Sequence, residues 1–345
     1  MINRRSFIGS GLTSILATNS KSFDPTYKKE IIKPKALKIG DTIGMVCPAF
    51  AANSIQEVEF GVEAFEKMGF KVKLGKHLYD NYGYLAGKDE DRAADINIFF
   101  RDSEIDGIVA MHGGWGCARV LPFLDYAMIE KNPKVFMGYS DLTALVNGIY
   151  AKTGLVTFHG PVGSSTFNAF SVDYFKKTVM NGEKTFMINP KIQQDSLVQT
   201  KDRTWTIHNG KANGKLIGGN LTVLTTILGS SYVPDFKGAI LFLEDIGENI
   251  YRIDRMLTQL ALNGILSQIS GFVFGKCTDC PPSEAGYGSL TLEEVFLDHI
   301  KPLKIPAFSG AMIGHIESKF TVPIGINAKI DADLGTIELL EKAVE

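Results

Sequence analysis

The sequence predicts an α/β protein, with a parallel sheet covered by helices on both faces in the first half and a smaller mixed α/β domain after it. Three observations carry this. Strand-like apolar runs alternate with amphipathic, helix-length segments from Thr42 to about residue 150, the pattern of βαβ units. Two of those strands end in abrupt turns, Met111-His112-Gly113-Gly114-Trp115-Gly116 and Met137-Gly138-Tyr139-Ser140. From Met187 to Asp202 the chain becomes polar and irregular before β-like segments resume at Thr204, which marks a domain boundary.

The elements follow in order. Thr42 to Pro48 reads as a first buried strand, and Ile55 to Met68 places apolar residues at helical spacing. Gly69 to Leu74 supplies a second strand, and a helix carrying Asp91 to Ile96 precedes the strand Asp106 to Met111. A helix is expected after the glycine loop, then the strand Val135-Phe136-Met137, then an amphipathic helix from Asp141. In the second half, Ala239 to Leu243 and Phe272 to Phe274 read as strands, with a helix from Tyr251 to Leu262 between them. The expected division is a leader and linker over 1–35, a first domain over 36–190 and a second over 200–345.

The leader is inferred from Asn3-Arg4-Arg5-Ser6-Phe7-Ile8-Gly9, paired arginines ahead of a short, mildly apolar stretch, which looks like a twin-arginine export signal. An exported, periplasmic protein is expected. Beyond this segment nothing approaches the roughly 20 continuous apolar residues that span a bilayer. With 36 Lys+Arg against 38 Asp+Glu, the formal net charge of −2 gives no electrostatic reason to expect nucleic acid. Cys47, Cys117, Cys277 and Cys280 are too few and scattered for a disulfide framework. Cys277-Thr278-Asp279-Cys280 is a weak zinc or redox signal, and reads as loop thiols or, in an oxidising compartment, a local disulfide.

Ser140 is the first candidate for chemistry, because a strand-to-helix elbow exposes a serine hydroxyl beside the free N–H groups of the new helix. The bland alternative is a helix N-cap, and Leu142 fills the place of the second glycine in the full G-x-S-x-G elbow. The loop Gly113-Gly114-Trp115-Gly116 leaves backbone N–H groups unshielded and can cradle an anion or serve only as a tight connection. A serine nucleophile needs a base. His112, His159 and His315 lie beside glycines or strand ends, whereas His77, His208 and His299 lie in polar stretches. Glu244 closes an apolar strand just before Asp245 and Glu248, which fits a site carboxylate, an acidic helix cap or a hard-cation cluster. No second ligand set accompanies these acids, so no metal is expected.

Taken together, these blocks resemble the LD-carboxypeptidases, the serine peptidase family that includes muropeptide and microcin-immunity enzymes. The resemblance runs from Leu37-Lys38-Ile39-Gly40-Asp41-Thr42 through Gly113-Gly114-Trp115-Gly116, Gly138-Tyr139-Ser140-Asp141 and Gly218-Gly219-Asn220-Leu221. It continues through Leu243 to Glu248, Tyr251 to Leu257 and Gly314-His315, about residues 36 to 340. It implies a flavodoxin- or glutamine-amidotransferase-like first domain. It also implies Ser140 as nucleophile, His315 as base and Glu244 as the carboxylate that orients it, in a cleft between the domains. The oxyanion donors would be the N–H groups of Gly114 and Asp141. Trp115 and Arg119 are candidate substrate-binding residues. His112 and Trp115 stand where arginine and tyrosine are expected, a departure that bears on substrate preference.

The implied reaction is hydrolysis of the amide between an L-centre and the terminal D-alanine of a peptidoglycan tetrapeptide, through an acyl-enzyme and without a cofactor. The family further implies a homodimer. Two alternatives stand beside this reading: an immunity-like hydrolase of acylated nucleotide analogues, and a wall-fragment binding protein without turnover.

Overall fold

The apolar runs of the first half supply the buried centre of a six-stranded sheet, because Gly107–Ala110, Val135–Met137 and Thr157–His159 cannot face water on either side, while Lys71–Leu74 forms a half-exposed edge. The computed structural model describes residues 30–191, 197–282 and 288–345; the expected export signal lies outside them. The first five strands are β1 (Thr42–Val46), β2 (Lys71–Leu74), β3 (Gly107–Ala110), β4 (Val135–Met137) and β5 (Thr157–His159). All five run parallel, and β3, β4 and β5 are buried along their whole length.

The later strands are β6 (Phe186–Met187), β7 (Trp205–His208), β8 (Lys211–Asn220), β9 (Ile240–Ile246), β10 (Gly271–Thr278), β11 (Ala307–Ser309), β12 (Val322–Ile324), β13 (Asn327–Asp331) and β14 (Thr336–Leu339). Eight of them form the second sheet, in the order β6-β14-β13-β8-β9-β10-β11-β7, with a parallel centre from β8 to β11 and antiparallel flanks. The exception is β12, which leaves the second half and pairs antiparallel with β5, completing the first sheet in the order β12-β5-β4-β3-β1-β2. The ends of the described chain also meet: the Ala36 amide donates to the Glu345 carbonyl at 2.8 Å, and the Glu345 amide to the Pro34 carbonyl at 2.9 Å. Ile31–Glu345 is one compact unit.

Local chemistry explains where the elements depart from the sequence expectation. The helix after the glycine loop is divided into Cys117–Val120, a 3₁₀ turn Leu121–Phe123 and Tyr126–Lys131, because Pro122 lacks an N–H and cannot continue an α-helix. The strand expected to stop at Leu243 runs on to Ile246, so Glu244 and Asp245 lie within β9. The expected helices are present as Ile55–Lys67, Asp89–Arg101 and Ile250–Leu262. Ser54 caps the first of them by accepting from the Glu57 amide at 3.1 Å. The last buries Ile250, Ile253, Leu257 and Leu260 at helical spacing and turns Arg252 and Arg255 outward.

Candidate functional site

Parallel strands gather their ligands beyond their carboxyl ends, and four segments reach that edge of the first sheet. Cys47 and Pro48 follow β1, the glycine loop follows β3, Gly138-Tyr139-Ser140 follows β4, and His159 ends β5. Ser140 has φ +64°, in the left-handed region that a non-glycine residue enters at a cost, held there by the 3₁₀ turn Ser140–Leu142 and the helix Thr143–Thr153 behind it. This is the geometry of a strand-to-helix elbow.

The glycine loop packs directly on that elbow. A methyl group on Gly113 would fall 2.6 Å from Ser140 Cβ and 3.3 Å from the Asp141 amide nitrogen, so only glycine allows the approach. Asp141 ties the two turns together by accepting from the Cys117 amide at 2.7 Å. The amides of Gly114 and Asp141, the two expected anion donors, have no hydrogen-bond acceptor among the described residues. Behind the loop, the His112 ring stacks on Phe50 at 4.0 Å and lies 3.7 Å from the Cys47 sulfur. Burial lowers the pKa of His112 and pushes the Cys47 thiol up to about 12, so this pair carries no charge near neutral pH.

The second sheet supplies the complementary side chains. Glu244 is fully buried in β9, and its Oε2 lies 2.8 Å from His315 Nδ1. Burial alone would raise the Glu244 pKa; the hydrogen bond and charge of His315, with His159 and Asn220, outweigh it and hold the carboxyl below its ordinary value. His315 sits in the loop between β11 and β12. Its carbonyl accepts from the Thr278 hydroxyl at 3.0 Å, and Thr278 lies between Cys277 and Cys280, which form a disulfide. The second sequence alternative for that pair is therefore the one realised. The Gly218-Gly219-Asn220 block has a packing reason: a methyl group on Gly219 would meet Thr143 at 2.6 Å, while the Asn220 amide donates to the Thr143 hydroxyl at 2.9 Å.

The two sides meet through Tyr139, the residue before Ser140, whose ring lies edge-on to the His315 ring with centroids 4.9 Å apart. A hydroxyl on an elbow, a histidine held by a buried carboxylate and unoccupied backbone amides can together carry out acyl transfer. Asp245 accepts from Asn220, Thr222 and its own neighbour Ile246, and Glu248 pairs with Arg252 at 3.6 Å. Thr222 also donates to Glu248 at 3.3 Å, so all three acids of this stretch are engaged by protein groups, with Thr222 shared between Asp245 and Glu248. Burial and the Glu244 charge raise the Asp245 carboxyl to about 6.

The remaining candidates fall outside this cluster or in its lining. Arg119 is exposed and bound through two nitrogens to Asp89, and Trp115 is exposed at the tip of the glycine loop, 5.8 Å from Phe50. His159 is buried between Tyr139 and Phe242, with neither ring nitrogen hydrogen-bonded, and burial drives its pKa down to about 4. His77 and His299 pair with Asp80 and Asp254, and His208 contacts the carbonyl of Asn209. Sequence reasoning missed Thr278 and Lys319. The Lys319 ammonium lies 4.2 Å above the Tyr139 ring, and the only sequence signal was a cation four residues beyond His315, in a stretch that becomes apolar.

Two family models cover the chain, the LD-carboxypeptidase N-terminal domain over residues 43–160 and the LD-carboxypeptidase C-terminal domain over residues 213–330. The chain belongs to the LD-carboxypeptidase family. Within this family it is 38% identical over 301 residues to the probable murein peptide carboxypeptidase of Bacillus subtilis, covering 87% of this chain and 91% of that protein. It is 29% identical over 303 residues to the murein tetrapeptide carboxypeptidase of Pseudomonas aeruginosa, covering 86% and 94%. The microcin C7 self-immunity protein in complex with glutamyl sulfamoyl guanosine superimposes with a TM-score of 0.81 at 29% identity, over 91% of this chain and 99% of that one. As an LD-carboxypeptidase family member, the protein is a peptidase of the hydrolase class.

Proposed function

We propose that the protein removes the terminal D-alanine from peptidoglycan tetrapeptides by serine acyl-transfer chemistry. In this reading Ser140 attacks the carbonyl of the L-centre, and His315 takes the Ser140 proton and returns it to the departing amine. Glu244 holds the His315 tautomer and offsets the imidazolium charge. The N–H groups of Gly114 and Asp141 stabilise the tetrahedral oxyanion, and water then releases the acyl group by the same steps in reverse. The observation that carries the reading is the 2.8 Å hydrogen bond between His315 and a fully buried Glu244, because a charge-assisted bond to a buried carboxylate orients a base strongly.

The proposal includes export: Asn3-Arg4-Arg5 begins a signal of twin-arginine type, and the Cys277–Cys280 disulfide suits an oxidising compartment such as the periplasm. Among the described residues no helix is long and apolar enough to cross a membrane. The reading also takes the working form to be a homodimer, which light scattering of the purified protein tests. A second reading, hydrolysis of acylated nucleotide analogues, is favoured by the likeness to the self-immunity protein bound to a sulfamoyl nucleoside.

Mass spectrometry of a purified muropeptide tetrapeptide, incubated with the parent protein and with Ser140→Ala, tests the proposal. Loss of one D-alanine with the parent alone is the expected result. Persistence of the tetrapeptide with the parent, together with cleavage of a glutamyl sulfamoyl nucleoside, would transfer the function to the second reading. Binding of the tetrapeptide without cleavage of either compound would leave a wall-fragment binding protein.

A further inference from the structure

We propose that Lys319 binds the free carboxylate of the substrate's terminal residue, so that the site accepts chain ends and rejects internal peptide bonds. This rests on the peptidase reading above and names the group that makes the enzyme an exopeptidase.

Lys319 is only 4% exposed, and its ammonium has neither an ion-pair nor a hydrogen-bond partner among the described residues. A buried cation without a counter-ion is costly, and one aromatic face recovers only part of the lost hydration. Other cations around the site are already engaged. Arg119 and Arg92 hold Asp89, Lys276 faces Asp202 at 3.6 Å, and Arg252 faces Glu248. Lys319 is therefore the cation beside the Glu244–His315 pair that has no acid of its own.

Its position is fixed by the surrounding chain. The Lys319 amide donates to the Ser171 hydroxyl at 3.0 Å, that hydroxyl donates to the Glu317 carbonyl at 3.2 Å, and Asn168 donates to Ser318 at 2.8 Å. The helix Ala169–Phe175 of the first half thus holds the segment that follows His315. From there the ammonium lies over Tyr139, which precedes Ser140 in sequence and touches the His315 ring in space.

The chemistry fits. In a carboxypeptidase substrate the terminal carboxylate is two bonds from the scissile nitrogen, so it enters the site together with the reacting amide and must exchange water for a cation there. A lysine supplies a compact charge with three donors. Burial lowers the Lys319 pKa to about 8 against the opposing pull of Glu244, which leaves the ammonium mostly charged at neutral pH and ready to pair.

The test compares a D-alanine-terminated tetrapeptide with the same peptide ending in D-alaninamide, using the parent, Lys319→Met and Lys319→Arg. The parent should prefer the free acid. Lys319→Met should lower kcat/KM for the acid by about 100-fold, mainly through KM, and change the amide by no more than about threefold. Lys319→Arg should restore part of the preference. A Lys319→Met enzyme that keeps the parent's acid preference, or that loses both substrates by the same factor while melting like the parent, overturns the assignment in favour of a packing or electrostatic role. If Lys319→Met does not fold, Lys319→Gln is judged by the same acid-to-amide ratio. Failure of the parent to cleave either peptide would overturn the peptidase reading and this inference together, a result separable from a lost preference.

Discussion

Around Ser140 the geometry is set by backbone and steric fit, whereas around Glu244 and His315 it is set by side-chain hydrogen bonds in a dry interior. On the first side, a positive φ at Ser140 and a glycine at position 113 allow two turns to touch, and Asp141 pins them. On the second, Glu244 is held by its partners, and His315 is anchored at the ring by Glu244 and at the carbonyl by Thr278. The difference teaches which substitutions each side tolerates. Shape should decide on the Ser140 side and charge on the other.

The largest effect should come from Glu244→Gln, which keeps the shape and removes the charge. A fall in kcat of about 10⁴, with a circular dichroism spectrum like the parent's, is expected for loss of an orienting carboxylate. A fall below tenfold would break the contrast. Gly113→Ala is the matching change on the other side, because its methyl would sit 2.6 Å from Ser140 Cβ. It should lower kcat by about 100-fold through displacement of Ser140, although no charge changes. Unaltered kinetics would mean that the loop yields freely.

Lys319 sharpens the comparison through stability. Burial lowers its pKa from 10.5 to about 8, so below pH 8 both folded and unfolded chains hold the proton and its contribution is constant. Between about pH 8 and 10.5 the unfolded chain holds the proton and the folded one releases it, so this residue makes stability rise with pH in that window. Denaturant melts of parent and Lys319→Met should differ in this rise by an amount on the order of 3 kcal/mol. The same alkaline slope in both proteins would show that the ammonium is better hydrated than its burial implies. The smallest effect belongs to Thr278→Val, which removes the hydroxyl from the His315 carbonyl and should slow kcat by about fivefold. No change would place the anchoring of His315 wholly in Glu244.

The sheet-forming strands and the Ser140 elbow are legible in the sequence because they are local: Val135 to Leu142 contains both the apolar run and the turn. Two family models and the superposition on the self-immunity protein agree with the expected α/β fold and with the LD-carboxypeptidase resemblance. The pairing of Glu244 with His315 spans 71 residues, and no spacing rule joins them; each was a candidate from its own surroundings, but only the family resemblance joined the two. The extent of β9 was missed because Glu244 and Asp245 look like a turn, although inside the sheet they find hydrogen-bond partners in His315 and in Asn220 with Thr222. Lys319 was missed because a single cation in a short segment carries no period, and its burial beside Tyr139 and the helix Ala169–Phe175 joins residues more than 140 positions apart.

The crossing of β12 into the first sheet has a consequence for synthesis. A chain leaving the ribosome can lay down β1 to β5 early, yet the free edge of β5 stays unpaired until Val322–Ile324 emerges, and Ala36 waits for Glu345. His315 emerges only shortly before that strand. The growing polypeptide therefore carries its serine through about half of its translation with the histidine still unmade, and the sheet edge and the Glu244–His315 pair are completed within a few residues of each other.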